Sequence, residues 1–302
     1  MRVAVTGATG RLGSAVLAAL ADAPFTGPQG PTAWDRRAFD LDAPNGVAER
    51  LAADRPEVVV HTAAWTDVDG CARDPDLALR RNGAATGVLA AACAARGVDL
   101  LVVSTNEVFD GARTDGIGYA PSDPTSPPNP YGVSKLAGEQ AATDAFDRPR
   151  SRARLGIART AWLFGPPGRD FPRKIIEAAE RAASAGEPLR VVGDEWGTPT
   201  YAADVADAIV ELLAEDAHDG VHHLVNGLTA TRALWAEYIV GRFGLGVAVE
   251  HVPATTWARA STPPRWGVLA PTPMPSGEPL RSWPDAMADY APTLARTHAS
   301  AR

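Results

Sequence analysis

Hydrophobic positions in the first half of the chain follow two alternating patterns. Uninterrupted apolar runs, such as those at 57–64 and 98–109, are typical of strands buried on both faces of a sheet. Between such runs, the segments 11–23 and 46–55 repeat apolar residues at helical spacing. Strands that alternate with helices predict an α/β fold with a doubly wound parallel sheet. The other predicted elements are strands at 2–7, 31–35, 189–192 and 221–226, a strand with its exit loop at 155–166, helices at 75–97, 171–186, 201–215 and 231–243, and a helix that starts near Tyr131.

The amino-acid composition of the chain changes after residue 112. A loop rich in Gly, Pro, Ser and Asp occupies 112–130, and the segment 253–284, rich in Pro and Trp, is predicted to be irregular. Loops of this length inside a compact fold are more often functional than not. We therefore predict a sheet domain over 1–160 and a smaller region over 161–302, which mainly completes a substrate site and is partly interleaved with the sheet.

Composition narrows the range of partners. The net charge of −7 over 302 residues argues against nucleic acid, and no apolar run approaches the roughly 20 residues that span a bilayer. The two cysteines, Cys71 and Cys93, lack disulfide or metal-binding spacing and favour a reducing compartment such as the cytoplasm. The adjacent His222 and His223 would point to opposite faces of a strand, so we predict no metal site. The sequence does not fix the oligomeric state, and a homodimer is compatible with it.

The segment "TGATGRLG" (6–13) places three glycines between the first strand and the first helix. Gly7 suits a tight turn, Gly10 lets backbone approach a pyrophosphate, and Gly13 permits close packing of helix on strand. The helix N-terminus offers free N–H groups and a positive dipole end to the phosphates. This pattern is typical of a Rossmann-type domain that binds a nicotinamide dinucleotide. We expect the dinucleotide to contact Gly7, Thr9, Gly10, Arg11 and Leu12.

The end of the second predicted strand should meet the adenosine ribose. There the chain reads "WDRR", with Asp35 followed by Arg36. A carboxylate suits the ribose 2′-hydroxyl of NADH, whereas an arginine suits the 2′-phosphate of NADPH. Both residue types are present, and Arg36 favours NADPH with NADH tolerated. Asp40 and Leu41 come next and are expected to border the adenine.

The segment "NPYGVSKLAGE" (129–139) places Tyr131 four residues before Lys135. On a helix the two side chains share one face, so the ammonium is expected to lower the pKa of the phenol. Reduction of a ketone needs an acid of this kind, because the developing alkoxide must be protonated. Ser104 and Thr105 end a buried strand at its carboxyl end, where doubly wound sheets bind their ligands, and can supply a further hydroxyl.

A phosphate loop, a strand-end hydroxyl and Tyr-x-x-x-Lys together resemble an extended short-chain dehydrogenase/reductase. Further blocks are similar, in order, to the motifs of the dTDP-4-dehydrorhamnose reductase family. The similarity runs from residue 1 to about 215, and the last third of the chain is only loosely similar. It implies NAD(P)H-dependent reduction of the 4-keto group of a nucleotide-linked 4-keto-6-deoxysugar. The blocks are "RPEVVVHTAAWTDVD", "STNEVFDG", "NPYGVSKLAGE", "RTAWLFG" and "EWGTPTYAADVADAI".

The resemblance also implies roles for individual residues. Thr105 would be the catalytic hydroxyl, Tyr131 the proton donor, and Lys135 a group that tunes the phenol and binds the nicotinamide ribose. The further residues implied at the cofactor are Ala63, Ala64, Trp65, Ser104 and Trp162, of which Trp162 could instead border the substrate. Those implied at the substrate are Thr66, Val68, Thr105, Glu107, Trp196, Gly197 and Pro199.

Three departures from the family pattern bear on the substrate. Asn106-Glu107 replaces the usual Asp-Tyr, Cys71 replaces a residue that is often acidic, and "TPPRWGVLAP" is only faintly similar to the Arg-Pro segment. Glu107 could accept hydrogen bonds from a sugar or point to solvent. Two alternatives to the reductase follow: an epimerase or dehydratase of the same superfamily, and a non-catalytic subunit that only binds NADP and a partner enzyme.

The glycine loop leads to a first prediction. A Gly10→Val side chain would occupy the space that the pyrophosphate needs, and we expect it to weaken NADPH binding by about tenfold or more, the loss expected when phosphate hydrogen bonds worth about 1.5 kcal/mol or more are broken. Fluorescence titration measures the affinity, and circular dichroism checks that the variant folds. A folded variant with parental affinity would show that the loop does not bind phosphate.

Overall fold

The structure, a computed structural model, describes residues 1–147 and 153–299. Strands and helices alternate along the first half of the chain, as the sequence predicts. The strands are β1 (Val3–Thr6), β2 (Thr32–Trp34), β3 (Val58–His61), β4 (Asp99–Thr105), β5 (Leu155–Thr160), β6 (Leu163–Phe164), β7 (Leu189–Val192), β8 (Trp196–Gly197), β9 (Thr200–Tyr201), β10 (Gly220–His223), β11 (Ala230–Thr231) and β12 (Val249–Val252). The helices are α1 (Arg11–Asp22), α2 (Val47–Asp54), α3 (Val68–Arg73), α4 (Pro75–Ala78), α5 (Ala85–Ala94), α6 (Pro130–Phe146), α7 (Phe171–Ala185), α8 (Ala202–Ala214), α9 (Arg232–Phe243) and α10 (Trp283–Ala299).

Six parallel strands form the central sheet, in the order β10-β5-β4-β3-β1-β2. All four residues of β1 and of β3 are buried, because helices cover both faces of the sheet. Helices α1 and α8 pack on one face, and α2, α5 and α6 pack on the other. The predicted fold class, a Rossmann-type doubly wound parallel sheet, is thereby confirmed.

The second half of the chain returns to this sheet. Strand β10 extends the sheet beyond β5, and α8 packs against α1 through residues such as Ile209 and Leu212. The predicted boundary at residue 160 therefore divides the chain at the end of β5, but residues 202–223 belong spatially with the first part. The last residues of the predicted smaller region, 300–302, lie outside the described part of the chain.

A smaller hydrophobic core forms around α7, α9 and α10. Phe164, Trp235, Ile239, Met287 and Leu294 are buried there. The sequence interpretation missed α10, whose pattern contains Pro292, and β12, which pairs in parallel with β7. Among the described residues, no helix is long and apolar enough to cross a membrane.

Strand β4 ends earlier than its apolar run predicts. It stops at Thr105, because the Thr105 hydroxyl accepts a hydrogen bond from the N–H of Glu107 at 3.2 Å and caps a 3₁₀ turn. Strand β5 ends at Thr160, and in the loop after it Trp162 adopts a left-handed backbone with φ of 42°. Polar and aromatic side chains thus follow both strands at the carboxyl edge of the sheet.

The irregular segment 257–282 crosses back to the sheet domain and is attached there by hydrogen bonds between its backbone and side chains of that domain. The Asn106 amide donates to the carbonyl of Gly267 at 2.8 Å, and the N–H of Ser261 donates to the Asp69 carboxylate at 3.0 Å. A Cβ at position 267 would lie only 2.4 Å from Asn106 Nδ2, so the close contact requires glycine. Asn106 and this segment, two departures from the family pattern, thus contact each other directly.

Asn106→Asp tests that attachment. Asp keeps the size of the side chain and its acceptor for Thr105, but loses the donor to Gly267. A buried carbonyl left without its partner costs about 1–3 kcal/mol, and we expect urea unfolding to show a loss of that size. The matched control is Asn45→Asp, the same change at an exposed position, which should leave the free energy of unfolding nearly unchanged. Equal stability of the two variants would contradict the attachment.

Candidate active site

The glycine loop between β1 and α1 is shaped by backbone contacts. Gly7 has a φ of 64°, and a Cβ there would lie 2.8 Å from the backbone nitrogen of Ala63. A Cβ on Gly13 would lie 2.2 Å from the carbonyl oxygen of Gly7, whereas one on Gly10 would approach the same oxygen only to 3.2 Å. Gly10 is the N-cap of α1 and has no side chain, so the first N–H groups of the helix are open to an anion. The loop therefore fits a dinucleotide diphosphate.

A groove runs from this loop towards the turn at 35–42. Arg36 lies on its rim and binds the carboxylates of Asp40 at 3.2 Å and Asp42 at 3.0 Å. Arg81, which sequence reasoning missed, also binds Asp42 at 2.6 Å and lies over the Trp65 ring at 5.2 Å. The predicted residues that line this groove are Gly7, Thr9, Gly10, Arg36, Asp40, Leu41, Ala63, Ala64 and Trp65.

Asp35 takes a different position from the one the sequence predicts. Its carboxylate accepts hydrogen bonds from the N–H groups of Arg37 at 2.9 Å and Ala38 at 3.1 Å. Among the residues that the structure describes, Asp35 does not line the groove. The carboxylate therefore stabilises the turn after β2, and Arg36 is the residue of this pair that borders the groove.

An inner cavity of about 400 Å³ continues from the groove, with which it shares Gly10, Thr62 and Ala64. It brings residues from four strand ends, α1 and α6 to the carboxyl edge of the sheet, where doubly wound folds bind ligands. Arg11 lies on its wall, although its guanidinium donates to the Gly165 carbonyl at 2.6 Å. The predicted residues on this wall are Gly10, Arg11, Leu12, Ala64, Thr66, Val68, Ser104, Thr105, Glu107, Tyr131, Lys135 and Trp162.

Helix α6 is positioned at its first turn. The Asn129 side chain caps it by accepting from the N–H of Gly132 at 2.9 Å. A Cβ on Gly132 would lie 2.1 Å from the carbonyl oxygen of Glu107, so the helix starts directly against the turn after β4. One turn further on, Lys135 Nζ donates to the carbonyl of Val103 at 2.8 Å. Burial lowers the pKa of Lys135 to about 8.

Tyr131 is buried beside Thr105 and Glu107. Burial raises the pKa of its phenol above the ordinary range, the Glu107 carboxylate raises it further, and a hydrogen bond with Thr105 opposes the shift. The expectation that Lys135 would lower the pKa of Tyr131 is therefore wrong in this structure. The ammonium is bonded to the backbone of β4, and desolvation of the phenol is the larger effect.

Glu107 faces the cavity rather than solvent. Its carboxylate accepts a hydrogen bond from the Asn129 amide at 2.7 Å, and its pKa is raised by burial. Arg232, at the start of α9, lies on the same wall, and burial lowers its pKa to about 10. Sequence reasoning missed Arg232, since nothing in "TATRALW" indicates that the first residue of this helix reaches the cleft.

Trp162, predicted to border the cofactor or the substrate, lines the cavity. A Cβ on Gly197 would lie 2.4 Å from Trp162 Cε2, so only glycine leaves room for the indole. Trp196 packs on Trp266 with ring centroids 5.8 Å apart, and Pro199 is buried. In the described residues these three predicted substrate contacts, Trp196, Gly197 and Pro199, do not line the cavity; Gly197 acts on it by positioning Trp162.

Two hydroxyls on the cavity wall lack protein partners. Ser104 Oγ and Thr160 Oγ1 are buried, and within the described residues neither has a hydrogen-bond partner. Buried polar groups are nearly always bonded, and an exception in a cavity wall is a position for a ligand atom. Together with the open helix N-terminus, these hydroxyls fit a polar dinucleotide that spans the groove and the cavity.

The parallel sheet, the glycine loop and the Thr105–Tyr131–Lys135 cluster define an extended short-chain dehydrogenase/reductase. The profile of the family described as "RmlD substrate binding domain" matches residues 1–295, so it includes the last third of the chain, where the motifs were only loosely similar. The chain therefore belongs to this family, the dTDP-4-dehydrorhamnose reductase family, which confirms the resemblance seen in the sequence.

Named relatives agree with this assignment. The chain is 36% identical to a dTDP-4-dehydrorhamnose reductase from Streptomyces griseus, over 96% of this chain and 93% of the relative. It is also 36% identical to a dTDP-4-keto-6-deoxy-D-glucose reductase from Streptomyces niveus, over 96% of both chains. Among solved structures, a dTDP-4-dehydrorhamnose reductase from Bacillus anthracis in complex with NADP superimposes with a TM-score of 0.84 at 28% identity, covering 96% of this chain and 98% of the other.

Proposed function

We propose that this protein reduces the 4-keto group of a nucleotide-linked 4-keto-6-deoxysugar with NADPH. The observation that carries the proposal is that Thr105, Tyr131 and Lys135 line one cavity, and that this cavity continues into the glycine-loop groove. The names of the relatives from Streptomyces griseus and Streptomyces niveus support a 4-keto-6-deoxysugar linked to dTDP as the substrate. A panel of sugar nucleotides assayed for NADPH oxidation tests it directly.

Tyr131 is the proton donor in this proposal. Because burial raises its pKa, the phenol stays protonated at neutral pH and can release its proton only to a strong base such as a developing alkoxide. Thr105 binds the carbonyl oxygen next to it, and Lys135 holds α6 against β4 through Val103. A bound reduced nicotinamide supplies the hydride.

For the cofactor we propose NADPH, with NADH tolerated. Arg36 borders the groove and its side chain is 74% exposed, so it can leave Asp40 and Asp42 for a 2′-phosphate at little cost. The complex of the Bacillus anthracis relative with NADP supports this preference.

The two alternatives have less support. A dehydratase normally adds a carboxylate pair beside the catalytic hydroxyl, and Asn106-Glu107 supplies at most half of it, because the Asn106 amide is buried and donates to Gly267. A non-catalytic subunit has no need for Tyr131 beside Thr105, nor for the buried Lys135 on the same wall. Oxidation of NADPH on addition of a 4-keto sugar nucleotide separates the reductase from both.

We further propose a cytoplasmic location, supported by the buried free thiols of Cys71 and Cys93. A homodimer stays a prediction, which sedimentation velocity would test. The roles of the groove residues in cofactor binding and of Thr66, Val68 and Glu107 in substrate binding are likewise proposals, supported by their positions on the two cavity walls.

Tyr131→Phe tests the proton donor. The change removes one oxygen and keeps the ring, so we expect folding and NADPH affinity to be retained. General acid catalysis contributes about 10²- to 10⁴-fold, and kcat should fall by that factor. The matched control is Tyr238→Phe, which removes a phenol that donates to the Pro284 carbonyl in the smaller core and should keep parental turnover. Near-parental kcat in Tyr131→Phe would exclude the mechanism.

The pH profile tests the role of Lys135. Its pKa is lowered to about 8, so the ammonium is present below that pH and is lost above it. If the charge is needed, kcat/KM should fall as pH rises through about 8, while the phenol of Tyr131 is still protonated. The residual kcat/KM of Tyr131→Phe should show the same decrease as pH rises through about 8. If the decrease is absent from that variant, it reports titration of the Tyr131 phenol and not of Lys135.

A further inference from the structure

Arg232 is held at the cavity wall by aromatic rings rather than by carboxylates. Its guanidinium carbon lies 3.6 Å from the centroid of Trp162 and 5.2 Å from that of Phe171. Thr231 caps the helix just before it by accepting from the N–H of Leu234 at 3.1 Å, which fixes the first turn of α9. The planar cation is therefore positioned in advance, stacked on the indole that lines the cavity.

Within the described residues, this guanidinium has no hydrogen-bond or ion-pair partner. Arg159, a buried arginine near the sheet edge, shows the usual arrangement, since the Glu139 carboxylate binds it at 2.7 Å. The carboxylate of Glu195 near Arg232 is already paired with Arg259 at 2.9 Å. The Arg232 side chain is only partly buried, and its donors lie at the cavity wall without a protein partner, so they are available to a ligand. The cavity is where such a partner can lie.

Glu107 lies on the wall of the same cavity. It attracts Arg232 electrostatically, but among the described residues the two are not joined as an ion pair, and the Glu107 carboxylate accepts from the Asn129 amide at 2.7 Å. The cavity thus presents an unpaired donor and a carboxylate acceptor close to the Tyr131 hydroxyl.

This mixture of charges indicates the ligand. A diphosphate would suit Arg232 but would be repelled by Glu107 and Glu195, both of which act on Arg232. A neutral ring that carries several hydroxyls suits both signs, because each hydroxyl can accept from a guanidinium or donate to a carboxylate. The sugar ring of the proposed substrate has this chemistry and must lie here for its carbonyl to reach Tyr131.

We propose that Arg232 determines specificity by donating hydrogen bonds to oxygen substituents of the sugar ring, while Glu107 accepts from one of its hydroxyls. The proposal rests on the proposed function for the identity of the sugar nucleotide. In this proposal Arg232 takes no part in proton transfer. It raises the affinity for the sugar ring and thereby selects between sugars with different hydroxyl groups.

Calorimetric titration of the full chain saturated with NADP⁺ tests the proposal, with dTDP and dTDP-rhamnose as probes. We expect dTDP-rhamnose to bind the parent more tightly than dTDP does. In Arg232→Gln that advantage should shrink by about 10- to 100-fold, the size expected for hydrogen bonds from a charged group. The affinity for dTDP should stay within about twofold of the parent. Arg232→Lys, which keeps the charge but loses the planar fork, should lose part of the advantage.

The control is Arg190→Gln in β7, an arginine that is 51% exposed and paired with Glu250, which should change neither affinity. Equal loss of affinity for both probes in Arg232→Gln would assign Arg232 to the diphosphate and overturn the proposal. Unchanged affinity of Arg232→Gln for both probes would show that Arg232 only packs on Trp162, and would also overturn the proposal. These outcomes do not depend on turnover: a parent that binds dTDP-rhamnose but reduces no 4-keto sugar nucleotide would exclude the proposed function alone.

Discussion

The hydrogen bond from Lys135 to the carbonyl of Val103 joins the helix that carries Tyr131 to the strand that ends at Thr105. Lys135 is buried and Val103 is partly buried, so the ammonium would lose its hydrogen-bond partner in a poorly solvated site if the helix moved away. The contact of Gly132 with the backbone of Glu107 holds the same helix from its first turn. Together these contacts place a phenol and a hydroxyl side by side at the edge of a rigid parallel sheet.

That arrangement also changes the electrostatic role of the lysine. A cation beside a phenol would make it more acidic, but here the cation binds backbone and the phenol is desolvated. A protonated Tyr131 suits a reductase, which must deliver a proton to an alkoxide after hydride arrives. The raised pKa of Tyr131 and the lowered pKa of Lys135 follow from the same burial.

The second half of the chain determines how the cavity is closed. Asn106 binds the segment that contains Gly267, and Gly197 leaves room for the Trp162 indole, which in turn supports Arg232. An aspartate at position 106 could not donate to a carbonyl, so the attachment of the C-terminal segment beside Thr105 depends on the amide of Asn106. The polar groups that remain near Tyr131, Glu107 and Arg232, suit a hydroxylated ring.

Local pattern was enough to predict the sheet, the glycine loop and the Tyr131–Lys135 pair, while the choice of Thr105 over Ser104 came from the family resemblance. Buried parallel strands, tight glycine turns and i,i+4 pairs depend on neighbours in sequence, so they can be read from short segments. Helix α10 and strand β12 were missed because Pro292 and the mixed "VEHV" pattern hide elements that tertiary packing stabilises. The direction of the Tyr131 pKa shift and the position of Arg232 at the cavity were decided by tertiary structure. The first depends on desolvation and the second on a contact with Trp162, 70 positions away, and no spacing rule records either. The Asp35 carboxylate differs for a local reason, because the N–H groups of Arg37 and Ala38 compete for it.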